Sequence, residues 1–140
     1  MRTVRGSSKA WGNLRKKKHT TKDFKRNTSY QKRNDILNIL GFRDYKSYLA
    51  SDFWIEIRNK ILGTQTICLL CPSISETVHH LSYDVMTLKG EQSNRLVALC
   101  LQCHALIEFH PSGRKRSLRE SNKDLKKRAR KTEQGLKWLG

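Results

Sequence analysis

The stretch "ICLLCPSISETVHHLSYDV", residues 67–85, holds two kinds of metal-binding side chain in one short run. Cys68 and Cys71 stand in C-x-x-C spacing, and eight residues after Cys71 come His79 and His80, side by side. The β-branched and aromatic residues of "ETVHHLSY" suit a strand. Neighbouring side chains of a strand point to opposite faces, so the two histidines cannot both meet one ion in regular geometry. Cysteines and histidines therefore pose the question of one site or two.

The cysteines answer for themselves. The chain has four, Cys68, Cys71, Cys100 and Cys103, as two C-x-x-C pairs with 28 residues between them. Two thiolate pairs close a tetrahedral cage around Zn²⁺ with bonds of about 2.3 Å and leave no open position, which makes the ion structural. An iron–sulfur centre and a pair of disulfides are the alternatives. No apolar stretch approaches a bilayer span and no apolar segment follows the basic N-terminus, so the reading is a cytoplasmic protein, where such pairs bind metal more often than they oxidise. At 140 residues with 36% hydrophobic content, one small domain is expected, and a metal staple suits it. With four thiolates completing the zinc shell, the histidines are free for a second task.

Around the motif, the charge is uneven. The chain carries +17 in all. Residues 1–33 hold 12 Lys/Arg against Asp23, and residues 112–140 hold 11 against three acids, while 34–111 is slightly acidic at −2. Two basic arms thus flank a near-neutral middle, and such arms repel themselves unless they meet a polyanion. Nucleic acid is the partner this implies, DNA in the first instance with RNA left open; a membrane fits poorly, because neither arm has a clean apolar face. Trp11, Leu14, Phe24 and Tyr30 are scattered through the first arm, either to stack on bases or to dock on the domain.

The middle divides in two. Residues 34–63 read as a helical lead-in: Asn34 caps "DILNIL" with Gly41 as its end, Asp44 caps a short helix bearing Tyr45 and Tyr48, and Ser51 caps a third with Phe53, Trp54, Ile57 and Ile61, stopped at Gly63. These aromatics read as core. Residues 64–111 read as knuckle, strand, a loop over "DVMTLKGEQSN", a second strand "RLVALC" and a helix "LQCHALIEF", ended by Pro111-Ser112-Gly113. Residues 112–140 read as a basic tail with weak helical periodicity, a helix to be formed on DNA.

Taken together, "VHH", Asn94 and "LVALCLQCHALIEF" between the C-x-x-C pairs resemble the HNH nucleases with the ββα-metal (His-Me) finger. The resemblance covers residues 68–109, with the lead-in also similar to that of phage and bacterial members. It implies an α+β fold, a small zinc-stapled ββα-metal core, and hydrolysis of DNA phosphodiester bonds, with a small free-standing homing or phage-type enzyme as the favoured role. His80 matches the general base, His79 the adjacent metal ligand, Asn94 the loop residue that holds the strands and orients the base, and His104 the helix-borne ligand. Where many members have a further histidine, this chain has Glu108, a carboxylate suited to Mg²⁺ or Mn²⁺. His110 reads as surface. The rival reading is a catalytically inactive zinc-stapled nucleic-acid-binding module. Oligomeric state is not legible.

Overall fold

The computed structural model describes the backbone of residues 21–140 and the side chains from residue 29 onward; the basic arm up to residue 20, with Trp11 and Leu14, lies outside the described residues. Three helices lead in: α1 (Thr21–Ile39), α2 (Tyr45–Leu49) and α3 (Asp52–Thr64). Asn34 is not a cap, as α1 already spans residues 21–33. Its later turns are held from outside: Tyr30 Oη donates to the Arg116 carbonyl at 2.8 Å, and the Arg33 guanidinium lies 4.0 Å from the Tyr45 ring centre. Tyr30 therefore docks on the domain. The end of α1 is as expected. Gly41 takes φ +99°, and the N–H groups of Phe42 and Gly41 donate back to the carbonyls of Leu37 and Asn38. Asp44 and Ser51 cap α2 and α3, accepting from the N–H groups of Ser47 and Trp54. Gly63 does not stop α3, which runs on to Thr64. The chain leaves it at Gln65, whose amide spans β2, accepting from the Ala98 N–H and donating to the Leu96 carbonyl.

The centre is a two-stranded antiparallel sheet, β1 (Thr77–His80) and β2 (Leu96–Leu99), with Val78 opposite Ala98 and His79 opposite Val97. Between the strands, the segment expected as a plain loop holds a short helix, α4 (Val85–Leu88), with Asp84 accepting from the Thr87 N–H at 2.8 Å. Helix α5 (Leu101–Glu108) follows β2 directly and completes a small ββα core.

The sheet parts two apolar clusters by strand alternation. Val78, Leu96 and Ala98 pack with Leu37, Tyr48, Trp54 and Ile61 of the lead-in. Val97 and Leu99 face the other way, toward the cysteines, Ile107 and Leu125. Leu125 belongs to α6 (Leu118–Ala129), which with α7 (Glu133–Leu139) forms the C-terminal segment. This segment differs from the expected tail: its two helices pack on the core, with Leu125 and Ala129 fully buried. Ser117 and Glu120 cap α6 reciprocally, and the turn into α7 is so tight that a Cβ at Gly135 would clash with the Ala129 carbonyl oxygen. Among the described residues, no helix is long and apolar enough to cross a membrane.

Candidate metal centres

The knuckle at residues 68–73 and the start of α5 bring the four cysteines together, their sulfurs all within 4.8 Å of one another. Cys71 Sγ and Cys100 Sγ lie 3.7 Å apart. Four sulfurs around a zinc ion at 2.3 Å have edges of about 3.8 Å, so the spacing is that of a cage. Both turns aim an N–H at sulfur. Leu70 donates to Cys68 Sγ and Cys103 to Cys100 Sγ, each at 3.4 Å, as suits thiolate acceptors. Hydrogen bonds from the Ser73 hydroxyl and N–H bring the Cys71 thiol down to about 6. Burial pushes the thiols of Cys68 and Cys103 upward, so these two need a cation to ionise. A dication inside the cage reverses that preference. The donor set fits Zn²⁺.

A second cluster sits on the α5 side of the sheet. His79 from β1 and His104 and Glu108 from α5 present ligand atoms within 4.8 Å of one another. His104 and Glu108, one turn apart, share a helix face, with His104 Nε2 3.3 Å from a Glu108 carboxylate oxygen. Two adjacent positions around a six-coordinate ion at about 2.1 Å are about 3.0 Å apart, so the pair is close to bidentate spacing. Thr77 Oγ1 lies 3.2 Å from His104 Nδ1, and Asn122 Oδ1 2.9 Å from His79 Nε2. His79 thus has one nitrogen engaged and one left for an ion, while His104 is held at Nδ1 by Thr77 and turns Nε2 to the Glu108 carboxylate that would share the ion with it. Burial disfavours the Glu108 charge, but the hydrogen bond and charge of His104, with nearby Lys115, hold the carboxyl below its usual range. Lys115 Nζ approaches Glu108 at 3.9 Å. Two histidines and a carboxylate, with positions to spare, can hold a divalent cation; the carboxylate admits Mn²⁺, while the two imidazoles favour a transition-metal ion over Mg²⁺.

His80 lies on the other face. It is 2% exposed, stacked on Trp54 at 4.6 Å and bordered by Tyr45, Tyr48 and Tyr83. Tyr48 gives its proton to the Leu88 carbonyl at 2.7 Å, so its oxygen faces His80 Nε2, 3.4 Å away, as an acceptor. Strand alternation thus parts His79 and His80, as the sequence predicts, and only His79 joins the second cluster. Asn94 is exposed on the short 3-10 turn Ser93–Arg95. Its side chain hydrogen-bonds to neither histidine, so the orienting contact expected of it is not made here. His110 is exposed, as read. Sequence reading missed Thr77 and Asn122, and only Asn122's place on an amphipathic segment after a capping signal could have hinted at it.

Burial keeps both β1 histidines neutral, bringing His79 to about 4 and His80, helped by the His79 charge, to about 3, from an ordinary 6.5. The unfolded chain takes up these protons near pH 6.5, whereas the folded chain does not until about 4 and below. In that window the unfolded state binds more protons, so stability rises with pH. It is complete above about pH 6.5 and drains away as the pH falls toward 4. Urea midpoints measured from pH 7.5 to 4.5 are expected to fall, and less steeply in His80→Gln. An equal slope in the variant would mean that His80 does not stay neutral in the fold.

Compared with known proteins, the chain matches no family model, no curated protein and no solved structure.

Proposed function

We propose that the chain is a metal-dependent endonuclease of the HNH, ββα-metal kind that hydrolyses DNA phosphodiester bonds, most simply as a small free-standing homing or phage-type enzyme. The observation that carries this reading is the separation of two clusters. Four cysteines make a closed shell, and His79, His104 and Glu108 make an incomplete one beside it. A structural ion needs the first; a catalytic ion needs the second, with positions open to substrate. In this reading the cysteines hold Zn²⁺, and His79, His104 and Glu108 hold Mn²⁺ in preference to Mg²⁺. Such an ion supplies polarisation of the phosphoryl oxygen and neutralises charge at the leaving oxygen.

The chain's own groups serve the substrate. The Lys115 ammonium, beside Glu108, suits an incoming phosphate. Around α6, Arg116 and Arg128 are taken up by Asp124, but Arg119, Lys123, Lys126, Lys127 and, at its C-cap, Arg130 are exposed and match a polyanionic backbone. The resemblance gives His80 the role of general base, but its ring lies across the sheet from His79, His104 and Glu108, enclosed by Trp54, Tyr45, Tyr48 and Tyr83. Burial makes it a weak base, so this reading rests on the second cluster and not on His80.

The second reading, a zinc-stapled nucleic-acid binder without catalysis, is favoured by the enclosure of His80 and the unengaged Asn94. One assay separates the two. Supercoiled plasmid incubated with the protein and Mg²⁺ or Mn²⁺ is expected to yield nicked and linear forms, and none with EDTA. Retarded but intact plasmid under all three conditions means a binder.

A further inference from the structure

Asn122 comes from α6, far along the chain from the strand it touches, and it makes two hydrogen bonds there. Its Nδ2 donates to the Leu81 carbonyl at 2.8 Å, and its Oδ1 lies 2.9 Å from His79 Nε2. The first bond decides the second. A carbonyl only accepts, so the amide end facing Leu81 is the NH₂ end, and the end facing His79 is oxygen. That oxygen accepts, so His79 Nε2 carries the hydrogen and Nδ1 keeps the lone pair. The amide is not free to turn. Its helix is anchored on both sides of it by buried Ser121, Leu125 and Ala129. His79 itself is 3% exposed, so water does not compete for Nε2.

We infer that Asn122 is the positioning residue of the second metal centre: it sets the tautomer and ring orientation of His79 and so presents Nδ1 to a divalent cation. This rests on the reading of His79, His104 and Glu108 as a metal site. The resemblance drawn from the sequence has Asn94, in the segment between the strands, orient the base His80, and it names no partner for His79. Here the bonds are made by an amide on a helix beyond the ββα core. The working unit therefore extends past residue 111 and includes α6.

The test uses the full-length, zinc-loaded chain without nucleic acid. Asn122→Leu removes both bonds at similar volume. Asn122→Asp keeps an acceptor for Nε2–H and loses the donor to Leu81. Two quantities are read for each: the His79 tautomer by ¹⁵N-correlated NMR, and Mn²⁺ affinity by titration. The wild type is expected to show the Nε2–H tautomer. Asn122→Leu is expected to show a mixture and to bind Mn²⁺ roughly 10–100-fold more weakly, the range for losing such a partner. Asn122→Asp is expected to keep the tautomer and stay within a few-fold of wild type. An unchanged tautomer and affinity in Asn122→Leu overturn the inference. So does an equal loss in both variants, which would assign Asn122 to holding Leu81 alone. If the wild type binds no Mn²⁺ and His104→Ala alters nothing, the metal-site reading is what fails, and the tautomer still decides whether Asn122 sets the His79 ring.

Discussion

Cys103→Ser is expected to unfold the domain. The cage lies within one of the two apolar clusters: Cys68, Cys100 and Cys103 pack with Leu69, Val97, Leu99, Ile107 and Leu125. Losing a ligand removes the ion and leaves three crowded sulfurs, of which burial holds Cys68 in its thiol form. Zinc binding in comparable structural sites is worth about 10–16 kcal/mol, whereas the net stability of a domain is about 5–15 kcal/mol. Loss of the ion is thus enough to unfold a chain of this size. The helical circular dichroism signal should collapse, and the zinc content should fall from one per chain to near none. A Cys103→Ser protein that stays folded and zinc-free would contradict the structural role.

His104→Ala is expected to do the opposite, leaving the fold and removing catalysis. Helix α5 is anchored by Cys103 and Ile107 on its buried side, while His104 is only partly buried beside Thr77 and Glu108. Without its ring the second site keeps one imidazole and one carboxylate. Lewis-acid stabilisation of the transition state is worth several kcal/mol; at about 1.4 kcal/mol per factor of ten, losing about 4 kcal/mol slows cleavage by roughly 10³-fold. Plasmid nicking with Mn²⁺ measures this, with circular dichroism and zinc content as controls. Cleavage within a few-fold of wild type would remove His104 from the machinery.

How much of this was legible turns on how local each signal is. The cysteine cage was readable because C-x-x-C spacing forms a knuckle whatever surrounds it. Strand alternation also told that His79 and His80 part, and they do. It did not tell which of them meets α5, because that depends on the face on which α5 and α6 pack. The aromatics at helical spacing, Tyr45, Tyr48 and Trp54, were legible as core, but their closing around His80 is a tertiary event. The C-terminal segment was read as a tail because its buried stripe is only Ser121, Leu125 and Ala129 among many cations. The signal that α6 starts there was present in "SLRE", residues 117–120, a capping box. Asn94 was named from order along the chain; it lies on an exposed turn and makes no hydrogen bond to either histidine, whereas the amide that does bond His79, Asn122, comes from a helix that order along the chain did not connect to the site.

The central claim is that one chain holds two different ions at two separate sites. The direct measurement is metal content followed by Mn²⁺ titration of the same zinc-loaded sample, monitored by electron paramagnetic resonance, in wild type and His104→Ala. The account predicts one zinc per chain in both proteins, one further Mn²⁺ in the wild type, and loss of that Mn²⁺ alone in the variant. Mn²⁺ binding that is absent from the wild type, or that is unchanged by His104→Ala, would contradict it.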